Sequence, residues 1–122
     1  MKTILLVDDS TTMLMSMEAI LKRAGFSVET ASSGDAALSK LKMLKPDLMI
    51  TDLNMPGMDG ISLIKAVKQL PAMKFKPVLM MTTESQQAKR DEAKAAGAVG
   101  WLVKPVEANQ LLAVIKQILP GT

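Results

Sequence analysis

The chain has 122 residues, 48% of them hydrophobic, with 15 basic and 12 acidic side chains and a formal charge of +3. That is one domain's length with enough apolar material for a core, so neither disulfides nor a structural metal is needed to hold it. Cysteine and histidine are absent and aromatic residues are few (Phe26, Phe75, Trp101). This excludes a Cys/His zinc site and any mechanism needing either residue on this chain, and it argues against a nucleic-acid partner, which would favour stacking rings among clustered Lys/Arg.

Five units follow one another, each a short apolar run, a loop and an amphipathic helical stretch. The first run, Ile4–Val7, is too short for a secretory signal and reads as a buried strand. No apolar stretch approaches the roughly 18 residues of a membrane span, so no membrane partner is expected. The first helix carries Met13, Met17, Ile20, Leu21 and Ala24 on one face and stops at Gly25. The run Val28–Ala31 is followed by a helix with Ala37, Leu38, Leu41 and Leu44 on its face and Pro46 beyond it. Leu48–Thr51 precedes the third helix, with Asp59 as N-cap and Ile61, Ile64, Val67 and Lys68 beginning it. Pro71–Pro77 is the one longer connection. After Val78–Met81 comes a helix over about Ser85–Ala96 that contains no large apolar residue and can bury only alanine. Such a helix is weakly held and suited to shifting between positions. Trp101–Val103 and a helix carrying Leu111, Leu112, Ile115, Ile118 and Leu119 complete the chain. Unalternated runs separated by helices predict a doubly wound α/β fold on a five-stranded parallel sheet. The eleven methionines fall mostly in strands or on apolar helix faces and read as core, while Met55 and Met58 lie in the loop beside Asp52, where a partner protein can meet them.

In such sheets ligands sit beyond the carboxyl ends of the strands. Those ends hold Asp8-Asp9, Asp52 with Leu53-Asn54-Met55-Pro56-Gly57, Thr82-Thr83-Glu84, and Lys104-Pro105. Taken singly, Asp8, Asp9 and Thr82 could be helix caps, Asp52 a turn residue and Lys104 a surface lysine. Together they place three carboxylates, a hydroxyl and an ammonium on one rim. Crowded carboxylates need a proton or a cation. Oxygen ligands with few protein contacts suit Mg2+, which readily shares a phosphate. Lys104 and the Thr82 hydroxyl can hold the remaining phosphate oxygens, and an ionised carboxylate can act as nucleophile without a general base.

These residues resemble the receiver domain of two-component response regulators. Asp8-Asp9, the stretch Asp52 to Gly60, Thr82 and Lys104-Pro105 fall in the family's order and spacing, over essentially the whole chain. With residues 1–122 forming a single receiver domain and no output domain expected, the chain is most similar to the single-domain, chemotaxis-type receivers. The resemblance implies the flavodoxin-like strand order 2-1-3-4-5, which the sequence pattern alone does not supply. It implies that Asp52 accepts a phosphoryl group from a phosphohistidine on a sensor kinase or phosphotransfer domain. Mg2+ would be bound directly by Asp9, Asp52 and the Asn54 backbone carbonyl, and by Asp8 through water. Thr82 and Lys104 would contact the phosphoryl group, and the Lys104–Pro105 peptide would be cis. Trp101 stands at the switch-aromatic position, usually tyrosine or phenylalanine, with Thr82 as its partner. Asn54 and Glu84 stand at the two positions that tune loss of the phosphate, and Thr83 replaces a smaller residue. The implied protein is a cytoplasmic monomer, a signalling domain that catalyses its own phosphorylation and dephosphorylation. Its target could be a flagellar motor switch, or it could serve as a phosphate sink or relay.

Three other readings compete. A phosphatase of the haloacid-dehalogenase type also uses Asp, Thr, Lys and Mg2+, but its nucleophile lies in an Asp-x-Asp motif on the first strand under a cap. A flavodoxin-like FMN carrier would need a hydroxyl- and glycine-rich first loop where Asp8-Asp9 stand. A constitutive scaffold would leave Asp52, Thr82 and Lys104 without purpose.

Overall fold

The computed structural model describes residues 1–83 and 87–119. Five strands, β1 (Thr3–Val7), β2 (Ser27–Ala31), β3 (Leu48–Asp52), β4 (Val78–Thr82) and β5 (Gly100–Val103), alternate with α1 (Thr11–Arg23), α2 (Gly34–Leu41), α3 (Gly60–Lys68), α4 (Gln87–Ala96) and α5 (Ala108–Ile118). The strands form one parallel sheet in the order β2-β1-β3-β4-β5. β3 and β4 lie inside it and are buried at every residue, as unalternated apolar runs require.

Strand parity splits the core in two. Leu5, Val7, Met49, Val78 and Met80 face the side packed by α2, α3 and α4. Ile4, Leu6, Leu48, Ile50, Leu79, Met81 and Leu102 face the side packed by α1 and α5. The helices start where the sequence supplies caps: the side chains of Ser10, Ser33 and Asp59 accept from the backbone N–H groups of Met13, Ala36 and Ser62.

Two expectations are corrected, and one alternative falls away. The second helix ends at Leu41, short of Leu44; Pro46 forbids a continuing helix, and Leu44 instead packs half-buried against the core from a turn. Asp8 and Asp9 do not cap α1, because Ser10 does. Met55 is not on a kinase-facing surface but buried, packed into the core on the α2, α3 and α4 side of the sheet. Met58 lies half-buried against Gly34. The start of the fourth helix at Ser85 lies outside the described residues. Its weak hold is as expected: Ala93 is the single buried residue of α4. No helix is long and apolar enough to cross a membrane.

Candidate phosphoryl-accepting site

The site forms because parallel strands end together. Asp8 follows β1, Asp52 ends β3, Thr82 ends β4 and Lys104 follows β5. Asp8, Asp52 and Lys104 continue the strand face that carries Leu6, Ile50 and Leu102, while Thr82 continues the face of Met80. The groups thus converge on one rim from both sides of the sheet.

Asp8 is fully buried. One of its carboxylate oxygens accepts from the Ser10 N–H at 2.9 Å, and the other accepts from Lys104 Nζ at 2.9 Å. Lys104 Nζ also lies 3.1 Å from Asp52 Oδ2. The ammonium therefore bridges two carboxylates 44 positions apart in the chain. Asp9 is exposed, yet each of the three aspartates offers a carboxylate oxygen within 4.8 Å of the others. Asn54 is exposed and donates through Nδ2 to Thr82 Oγ1 at 3.3 Å. Thr82 is buried, Thr83 exposed and Trp101 half-buried. The Lys104–Pro105 peptide is cis. Glu84 lies outside the described residues.

Burial pushes the Asp52 carboxyl above its ordinary range and the Asp8 charge adds to this, while the hydrogen bond and charge of Lys104 pull against them. Burial also acts to lower the Lys104 ammonium, but its hydrogen bonds to Asp8 and Asp52 and their two charges outweigh that and raise it. Lys104 is thus firmly cationic at neutral pH. The three clustered carboxylates fit a hard divalent cation, since one cation within hydrogen-bond reach of two of them leaves a net negative charge and Asp9 open to solvent.

Two contributors were missed in the sequence. Ser10 orients Asp8 as well as starting α1; its place before the first helical residue is the N-cap signal that could have found it. Gly60 is the other: a Cβ there would overlap the Asp52 carbonyl oxygen and come within 2.9 Å of Leu53 Cα and Met80 Sδ. Cleft size does not mark the site. A cleft of about 830 Å3 opens on the opposite rim instead, beside Met1, Phe26 and Lys116.

A parallel sheet whose carboxyl ends gather an acidic cluster, a hydroxyl and a bridging lysine has the architecture of a receiver domain. Residues 4–116 match the family model of the response regulator receiver domain, and the chain belongs to that family. It is 40% identical over 116 residues to the chemotaxis protein CheY of Pseudomonas aeruginosa, covering 94% of each chain. It is 41% identical over 109 residues to CheY-3 of Vibrio cholerae, covering 88% of this chain and 84% of that one. The solved structure of Vibrio cholerae CheY4 superposes with a TM-score of 0.95 at 43% identity, covering 98% of this chain and 99% of that one. The chain is a receiver domain homologous to CheY-type single-domain response regulators, and the haloacid-dehalogenase alternative finds no support.

Proposed function

We propose that Asp52 is the phosphoacceptor of this receiver, and that its phosphorylation switches the α4–β5–α5 surface to bind a protein target. The observation that supports this most is the Lys104 ammonium shared between Asp8 and Asp52. It aims one cation at the carboxylate whose neighbours are set up to hold a phosphate. The donor is a phosphohistidine on a sensor kinase or phosphotransfer domain, supplying the imidazole this chain lacks. An Asp52 carboxylate oxygen attacks phosphorus, the P–O bond forms, the P–N bond breaks, and the imidazole leaves and takes up a proton. In-line attack needs charge neutralisation and positioning more than acid–base help. Lys104 and the Thr82 hydroxyl are the groups that take up the phosphoryl oxygens.

Mg2+ would be held by Asp9, Asp52 and the Asn54 backbone carbonyl, with Asp8, both of whose oxygens are engaged, acting through water. Bound there, it supplies charge neutralisation for the transferring group. Asn54 and Glu84 set the lifetime of the acyl phosphate by controlling the approach of water, so the domain catalyses its own phosphorylation and dephosphorylation. The chemotaxis names of the relatives support a chemotaxis role; a cytoplasmic location and a flagellar motor switch as target complete the proposal. The test is direct: Mg2+ with a small acyl-phosphate donor should place one phosphate on the chain, and Asp52→Asn should abolish it. Undiminished labelling of that variant would refute the assignment.

A further inference from the structure

α4 is joined to the sheet by little. Among its side chains only Ala93 is buried. Arg90, one turn earlier on the same face, is half-buried and lays its guanidinium on the Trp101 indole, with Cζ 5.6 Å from the ring centroid. Trp101 pairs across the strands with Met80. Met80 and Thr82 share a face of β4, so the ring lies one rung from the hydroxyl assigned to the phosphoryl group. Beside the pair, between α4 and β5, runs a cleft of about 250 Å3 lined by Gln87, Lys94, Ala98 and Gly100.

The contact is made by stacking alone. Arg90 Nε and Trp101 Nε1 are shielded from solvent, and among the described residues neither has a hydrogen-bond acceptor. An orphaned buried donor is costly, so two of them weigh against the cation–π attraction that holds the pair. Such a contact is weak by construction and easily traded for another arrangement.

We propose that Arg90 is a positioning residue for the switch: stacked on Trp101, it latches α4 against β5 in the resting chain, and the latch opens when α4 and β5 rearrange around phosphorylated Asp52. This rests on Asp52 being the acceptor. An interaction made only in the resting state disfavours the active state by its own strength. Removing it shifts the population toward the active state by roughly twofold to tenfold, the worth of one partly exposed cation–π contact.

Trp101 is the sole tryptophan and the chain has no tyrosine, so its fluorescence reports this site alone. In the unphosphorylated full chain, Arg90→Ala should raise acrylamide quenching of Trp101 about twofold. Lys94→Ala, which removes the same charge from an exposed position of α4, should leave it unchanged. Arg90→Ala should also speed acyl-phosphate labelling of Asp52 roughly twofold to tenfold. Arg90→Gln, a good helix former, should act in the same direction and decides the matter if the alanine variant unfolds. Unaltered quenching in both Arg90 variants, an equal change in Lys94→Ala, or an unaltered labelling rate would overturn the latch. If the parent chain takes no label on Asp52 at all, it is the phosphoacceptor assignment that fails, while the quenching still judges whether Arg90 holds the ring.

Discussion

Lys104 joins two carboxylates that would otherwise face each other inside the protein. Its side chain is 14% exposed and that of Asp8 is fully buried, so the pair is poorly screened by solvent. Deleting one partner of a buried ion pair strands the other charge, at about 3–5 kcal/mol. Lys104→Ala should therefore destabilise the fold by about 3 kcal/mol at neutral pH in a denaturant melt, and millimolar Mg2+ should restore more stability to it than to the parent. An equal Mg2+ effect on both would show that the cation does not act at these carboxylates. Asp52 behaves oppositely. Its folded carboxyl sits above the ordinary value of 3.8, so the folded chain holds that proton more tightly than the unfolded one. Stability from this group is full below 3.8 and is lost as pH rises through the folded value. Above that value the ionised carboxylate is a standing cost. Asp52→Asn should thus be more stable than the parent at pH 7 by about 0.5–2 kcal/mol, the range of favourable single substitutions. The advantage should shrink as both proteins are acidified; an advantage independent of pH would point to packing instead.

At the scale of elements, the loop from β3 into α3 sets where Asp52 stands. Gly60 N–H donates to the Leu53 carbonyl at 2.8 Å, and there is no space for a Cβ against the Asp52 carbonyl. Gly60→Ala should cost about 1–3 kcal/mol as an overpacked site and slow phosphorylation of Asp52. Gly57→Ala, strained by its φ of +77° but with open space around it, should cost less and leave the labelling rate nearer the parent's. Equal rates in the two variants would show that the loop does not position Asp52. Much at this scale is legible in sequence, because strands buried on both faces read as apolar runs and caps read as Ser or Asp before helices. What is not legible is whatever depends on distant pairing. Nothing local to Lys104 announces Asp8, 96 positions away. Asp8 and Asp9 look alike until strand parity buries one and exposes the other. Leu44 carries the helical period, yet turn geometry before Pro46 decides its place. Arg90 looks like a solvated charge until Trp101 arrives from the next strand.

Across the whole molecule, the two sides of the sheet are held unequally. The α1/α5 side packs Leu14, Met17, Leu21, Leu111 and Ile115 onto all five strands, and α3 contributes Ile61, Leu63, Ile64 and Val67 to the other. α4 buries Ala93 alone, with Ala96 partly buried against the same core. Burying an alanine in place of several large apolar side chains forgoes roughly 1.5–3 kcal/mol for each one missing. The element nearest the proposed switch is therefore the one whose release costs least, and the strands that carry Asp52 and Thr82 are the last to open. Native-state hydrogen exchange should show this order: α4 amides opening well below the global unfolding free energy, α1 and α3 above them, and β3 and β4 at the global value. Protection in α4 equal to that in α3 would mean that the helix is held by more than its side chains bury, and that a rearrangement confined to α4 and β5 is not the inexpensive motion this fold offers.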